Sequence, residues 1–135
     1  MRPRIVAPII RVDEMGDGHF GSSRGDRTHK GVDYICRPTD YVYAPCDGII
    51  GRHGFPYAND EKYRLIEIID NRGWRHRLMY VAPILSAGNR VVREQTIIGT
   101  AQDVSLKYRR GGLMHPHIHY EIIDLNGEYL DVDKL

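Results

Sequence analysis

Residues 113–123 read Leu-Met-His-Pro-His-Ile-His-Tyr-Glu-Ile-Ile. After Pro116, the apolar residues Ile118, Tyr120 and Ile122 alternate with His117, His119 and Glu121. Period-two alternation marks a half-buried strand. Residues i and i+2 of a strand share a face, so His117 and His119 project side by side into one space. Two imidazoles on one wall are half of a metal site, or a metal ligand beside a catalytic base. The rest of the chain must build a sheet around this strand and bring the missing groups to it.

A second cluster, His29-Lys30-Gly31-Val32-Asp33, supplies such groups. It offers a histidine and a carboxylate four residues apart, with an apolar strand (Val32, Tyr34, Ile35) growing out of it. Two histidines and one aspartate are typical ligands of a catalytic zinc, with the fourth position left for water. His-x-Gly-x-Asp followed far along the chain by His-x-His on a strand is more specific than either part.

The intervening chain is punctuated too often for long helices. Ile5 to Val12 reads as a first strand or extended arm, and Asp13 to Thr28 as a loop rich in Gly, Asp, Ser and Arg. Arg24-Gly25-Asp26 within it is a turn. Short β runs follow at Gly31–Cys36, Tyr41–Pro45 and Gly48–Gly51. Residues 53–62 form a loop. Arg64–Asp70 and Trp74–Val81 form a hairpin closed by Asn71-Arg72-Gly73. Further short strands fall at Val91-Val92 and Thr96–Thr100. Residues 103–108 hold one helical turn at most, and Asn126-Gly127 is a turn before the tail to Leu135. Seven to nine short strands and no convincing helix predict an all-β or β-rich domain.

At 135 residues the chain suffices for one domain with one core, spanning 1–135. A net charge of +1 excludes a strong field for nucleic acid or an anionic membrane. Lys107, Arg109 and Arg110 form a small basic cluster, read as a solvated loop. The run Ile5–Ile10, broken by Pro8, is far shorter than the ~20 residues of a membrane span. It is also short for a signal-peptide core. The expectation is a soluble chain with no visible export signal. Two cysteines make no disulfide framework, and Cys36 and Cys46 are read as free, buried thiols.

Phe20-Gly21-x-x-Arg24, His29-x-Gly31-x-Asp33, Val42-Tyr43-Ala44-Pro45-x-x-Gly48 and His117-x-His119 occur in the order seen in lysostaphin/LytM-type zinc peptidases. The chain resembles that family over nearly its whole length. Pro56-Tyr57-x-Asn59 and Met79-Tyr80-Val81-x-Pro83-Ile84 are more similar still to its leukocyte cell-derived chemotaxin branch. That branch keeps the zinc site and is not regarded as an active peptidase. The resemblance implies a β-rich, duplicated hybrid motif-like fold, with an antiparallel sheet under a groove. It implies zinc held by His29, Asp33 and His119, with His117 unligated beside it. Typical partners are peptide cross-bridges or stems of bacterial peptidoglycan. For a short chain with no visible export signal, a phage particle component or lysis module is the expected setting.

Zinc held by two neutral imidazoles and one carboxylate keeps a positive charge, polarises a carbonyl and lowers the pKa of bound water toward ~7. His117 is then placed to take a proton or stabilise an oxyanion. One departure weakens this. The active family carries a second catalytic histidine two residues after a tyrosine, and Tyr80-Val81-Ala82 puts Ala82 there. His76 lies roughly 20 Å further along the same strand face and is read as a surface or half-buried residue. His115 is a candidate to line the groove or supply the missing group. His19 and His53 receive no role. Losing one such group costs ~10²–10⁴-fold in rate. Two functions stay open: a weakened zinc endopeptidase acting on cell walls, or a zinc-stabilised module that binds peptide or glycan.

Overall fold

The computed structural model describes residues 5–7, 9–108 and 111–134. Pro8 of the arm, Arg109 and Arg110 of the basic cluster, and the terminal Leu135 lie outside them. The strands are β1 (Val12–Asp13), β2 (Gly16–Asp17), β3 (Val32–Ile35), β4 (Tyr41–Tyr43), β5 (Gly48–Gly54) and β6 (Leu65–Asp70). They continue as β7 (Arg75–Met79), β8 (Val81–Pro83), β9 (Arg90–Val91), β10 (Ile97–Ala101), β11 (His117–Ile123) and β12 (Tyr129–Leu130). A single helical turn, α1 (Ser105–Tyr108), precedes β11. Among the described residues no helix is long and apolar enough to cross a membrane.

All strand pairs are antiparallel. The main sheet runs β12-β11-β7-β6-β5-β9, and β3 also pairs with β11. A second sheet has the order β4-β10-β8, and β1 pairs with β2. The β6–β7 hairpin forms where alternation and Asn71-Arg72-Gly73 predict it, with Gly73 at φ +83°. β5 runs on to Gly54, past its expected end at Gly51, because a bulge between Ile50 and Arg52 resets its register. The arm before β1 is extended rather than a full strand. Ile10 bridges Tyr34, and the Arg11 N–H donates to the Asp33 carbonyl at 2.9 Å.

Register assigns one face of the main sheet to the core. Ile118, Tyr120 and Ile122 stand opposite Tyr34 and Val32 of β3 and opposite Leu78 and His76 of β7. Ile66 and Ile68 of β6 continue that face. These side chains join Val42, Val81, Ile98 and Ala101 of the second sheet in one buried cluster. Cys36 and Cys46 lie in it as unpaired thiols, both pushed up to about 12 by burial.

Two expectations change. All seven residues of β11 are buried, so the strand is covered on both faces rather than half-buried. On its polar face His29 packs edge-on against His119, with ring centroids 4.9 Å apart. His76, expected at or near the surface, is 2 % exposed. It pairs with Ile122, so it faces the core, opposite to His119. Its Nδ1 accepts from the Tyr120 hydroxyl at 2.7 Å and its Nε2–H donates to Asp70 at 2.9 Å.

Burial lowers the His76 pKa below its usual value, against the pull of Asp70. The unfolded chain therefore binds a proton that the native chain refuses. Stability from this group is complete above the unfolded value of about 6.5 and is lost as pH falls through the native value. We expect the urea midpoint to fall between pH 6.5 and 5, and His76→Gln to flatten that slope. An unchanged slope in the variant would contradict the assignment.

Candidate metal centre and groove

β3 and β11 place two of the site residues by pairing alone, with Asp33 directly opposite His119. Asp33 Oδ1 lies 3.0 Å from His119 Nδ1. His29, at the entry to β3, brings its Nε2 to 3.1 Å from His119 Nδ1 and 3.3 Å from Asp33 Oδ1. Gly31 permits this approach. A Cβ there would stand 2.3 Å from the Tyr120 carbonyl oxygen and 2.9 Å from the His119 ring.

The three donors form a triangle with edges of 3.0–3.3 Å. A tetrahedral ion with bonds of ~2.0–2.1 Å has ligand separations of roughly 3.3 Å, so the triangle fits such an ion. The hydrogen bonds also leave the correct atoms free. His29 Nδ1–H donates to the His19 carbonyl at 3.1 Å. His119 Nε2–H donates to Glu121 at 2.7 Å. Each ring therefore turns its other nitrogen toward the triangle. Arg11 holds Asp33 Oδ2 from two nitrogens, at 3.1 and 3.2 Å, which leaves Oδ1 facing the two histidines. Such outer partners fix tautomer and orientation.

Charge in the site is balanced by contact. Burial opposes ionisation of Asp33, but hydrogen bonds from His119 and His29 hold its carboxyl well below the ordinary range. Burial likewise opposes the charged form of His119, yet Asp33 and Glu121 raise it to about 9.

His117 lies beside the triangle. Its Nδ1–H donates to the His115 carbonyl at 2.8 Å, and its Nε2 stands 3.7 Å from Asp33 Oδ2. Burial lowers its pKa, so it is neutral with Nε2 as a free base. These groups line a cavity of about 410 Å³ with Tyr57, Tyr80, Tyr108 and the cationic Arg27 and Lys30.

His115 and Ala82 fall elsewhere. The His115 side chain does not line the cavity, and its backbone serves instead, holding His117 and bonding Asp13. Ala82 pairs with Thr100 in the second sheet and does not line the cavity either. Strand parity fails because Tyr80, between β7 and β8, has φ +69°. That left-handed residue breaks the alternation, and Met79 and Tyr80 both face the cavity. The Tyr80 ring meets His117 edge-on at 5.5 Å. Strand counting from a regular β run could not find Tyr80, and nothing in the arm marks Arg11. Glu121 was findable, two residues after His119 on the same face.

The model described as peptidase family M23 matches residues 27–132. The chain belongs to peptidase family M23. Among relatives of this M23 chain, leukocyte cell-derived chemotaxin-2 of Bos taurus is 29% identical over 118 residues, covering 87% of this chain and 75% of the relative. The antimicrobial peptidase lysostaphin from Staphylococcus simulans superposes with a TM-score of 0.67 at 25% identity. That match covers 88% of this chain but 48% of lysostaphin, so this chain spans about half its length. The catalytic domain of the prophage-encoded M23 protein EnpA from Enterococcus faecalis shares the fold over 98% of this chain and 95% of its own, with a TM-score of 0.64 at 20% identity.

Two outcomes follow from the site. Because metal uptake displaces a proton from His119, zinc affinity is expected to rise about tenfold per pH unit below about 9; calorimetry across pH 6.5–8.5 reads this, and a flat profile would contradict it. Glu121→Gln is expected to weaken zinc binding ~10–100-fold while the chain stays folded; unaltered affinity would mean that Glu121 does not tune His119.

Proposed function

We propose that this M23 domain is a zinc-dependent endopeptidase acting on the peptide part of bacterial peptidoglycan. The observation that carries the reading is the donor triangle of His29, Asp33 and His119 on the floor of an open groove, with neutral His117 beside it. His29 Nε2, Asp33 Oδ1 and His119 Nδ1 would hold the zinc. When bound, zinc polarises the scissile carbonyl and lowers the pKa of water.

The chain's own residues do the rest. His117 Nε2 accepts a proton from the attacking water and returns it to the leaving amine. The His115 carbonyl keeps its tautomer fixed throughout. Arg11 aims Asp33 by pairing with its Oδ2. The aromatic wall of Tyr57, Tyr80 and Tyr108 borders the space in which a peptide lies. A phage-encoded lytic component is the setting we propose; the likeness to EnpA, at 20% identity, bears on the fold alone.

A second reading is favoured by one finding, the 29% identity to chemotaxin-2 over 87% of the chain. In it the metal ties β11 to the entry of β3, and the groove grips a peptide or glycan without cutting.

Zymography on purified peptidoglycan separates the two. With zinc we expect clearing that a chelator abolishes, and a ~10²–10⁴-fold loss in His117→Ala. Ala82→His should change little, because Ala82 does not line the groove. Retention of the protein on peptidoglycan with no clearing, with zinc bound, would establish the binding module instead.

A further inference from the structure

The groove holds a hydroxyl relay that the peptidase chemistry described so far does not use. Tyr57 Oη donates to Tyr80 Oη at 3.2 Å. Tyr57 Oη also lies 2.6 Å from Tyr108 Oη. A phenol has one proton to give. Tyr57 gives its proton to Tyr80, so Tyr108 is the donor in the other bond. The chain therefore runs Tyr108 to Tyr57 to Tyr80, and Tyr80 keeps its own O–H for the cavity.

The relay is held from behind. Tyr57 packs edge-on against Tyr63 at 6.0 Å, and Lys107 Nζ sits 4.4 Å above the Tyr57 ring. The Tyr63 hydroxyl donates to the Asp103 carbonyl at 3.0 Å. Hydrogen bonds in series polarise one another. The terminal donor then sits on a wall that needs no rearrangement during reaction, which is what stabilisation of developing charge requires.

On the peptidase reading above, we propose that the Tyr80 hydroxyl is a catalytic group of this groove, donating a hydrogen bond to the oxyanion of the tetrahedral intermediate, with Tyr57 as its positioning residue. Water forms the new C–O bond and loses a proton to His117 Nε2. The carbonyl π pair moves onto oxygen, where Tyr80 donates to it. On collapse the C–N bond breaks, and His117 returns the proton to the amine. Tyr80 keeps its proton at both stages. Burial, which pushes its phenol up to about 12, is consistent with that. An imidazole donor, expected two residues further on at Ala82, is replaced by a phenol that the left-handed turn at Tyr80 delivers to the same groove as His117.

The test uses the zinc-loaded chain, a soluble peptidoglycan fragment and a phosphinate analogue of the cleaved peptide bond. Tyr80→Phe is expected to lower kcat ~10²–10³-fold with KM, zinc content and melting temperature unchanged, and to weaken the phosphinate by a like factor. Tyr57→Phe should lower kcat and phosphinate affinity by a smaller factor at constant KM. Tyr80→His should recover most of the activity. Wild-type kcat in Tyr80→Phe overturns this inference and leaves the peptidase reading intact. No turnover by the zinc-loaded wild type overturns both. If Tyr80→Phe loses zinc or melts early, Tyr57→Phe decides, and unchanged phosphinate binding there overturns the proposal.

Discussion

The pairing of β3 with β11 is the constraint on which the site depends. Antiparallel register sets Asp33 opposite His119 and Tyr34 opposite Ile118. A slip of one residue would turn the carboxylate into the core and a tyrosine into the groove. The same register continues outward as a line of alternating charge. Asp33 meets His119, which meets Glu121; Glu121 meets Arg77 at 3.6 Å, and Arg77 meets Glu67 at 2.9 Å. Asp33, Glu67, His119 and Glu121 are all buried. Buried charges are tolerated only when each has a partner, so the line behaves as a unit. Removing one member strands its neighbours.

This explains how an apolar core and a polar site share one thin sheet. Ile118, Tyr120 and Ile122 satisfy the core with one face of β11, and His117, His119 and Glu121 are buried by the other. The arm residue Arg11, 3 % exposed, closes the polar side by neutralising Asp33 and Asp13. The donors therefore stand at separations a tetrahedral ion accepts. A metal bound there by the folded state alone would add to its stability.

Much of this is legible in the residues. Alternation gives β11 and the side shared by His117 and His119, and His29-x-Gly31-x-Asp33 gives the other two donors. What escapes is set by irregular backbone. A strand count through residues 76–82 assumes that parity persists, and Tyr80 at φ +69° ends it. Ala82 therefore belongs to another sheet, and Tyr80 takes the place beside His117. His76 is legible as a strand residue, but its partners Asp70 and Tyr120 lie on other segments, so its burial is not. His115 acts through its carbonyl, and Arg11 comes from a stretch with no periodic signal.

The most direct measurement is a crystal structure of the zinc-loaded chain with anomalous data at the zinc edge. The expected peak lies ~2.0–2.2 Å from His29 Nε2, Asp33 Oδ1 and His119 Nδ1, with His117 unligated and Glu121 still bonded to His119 Nε2. A peak elsewhere in the chain, or none with zinc in excess, would contradict the assignment of this groove as a metal centre.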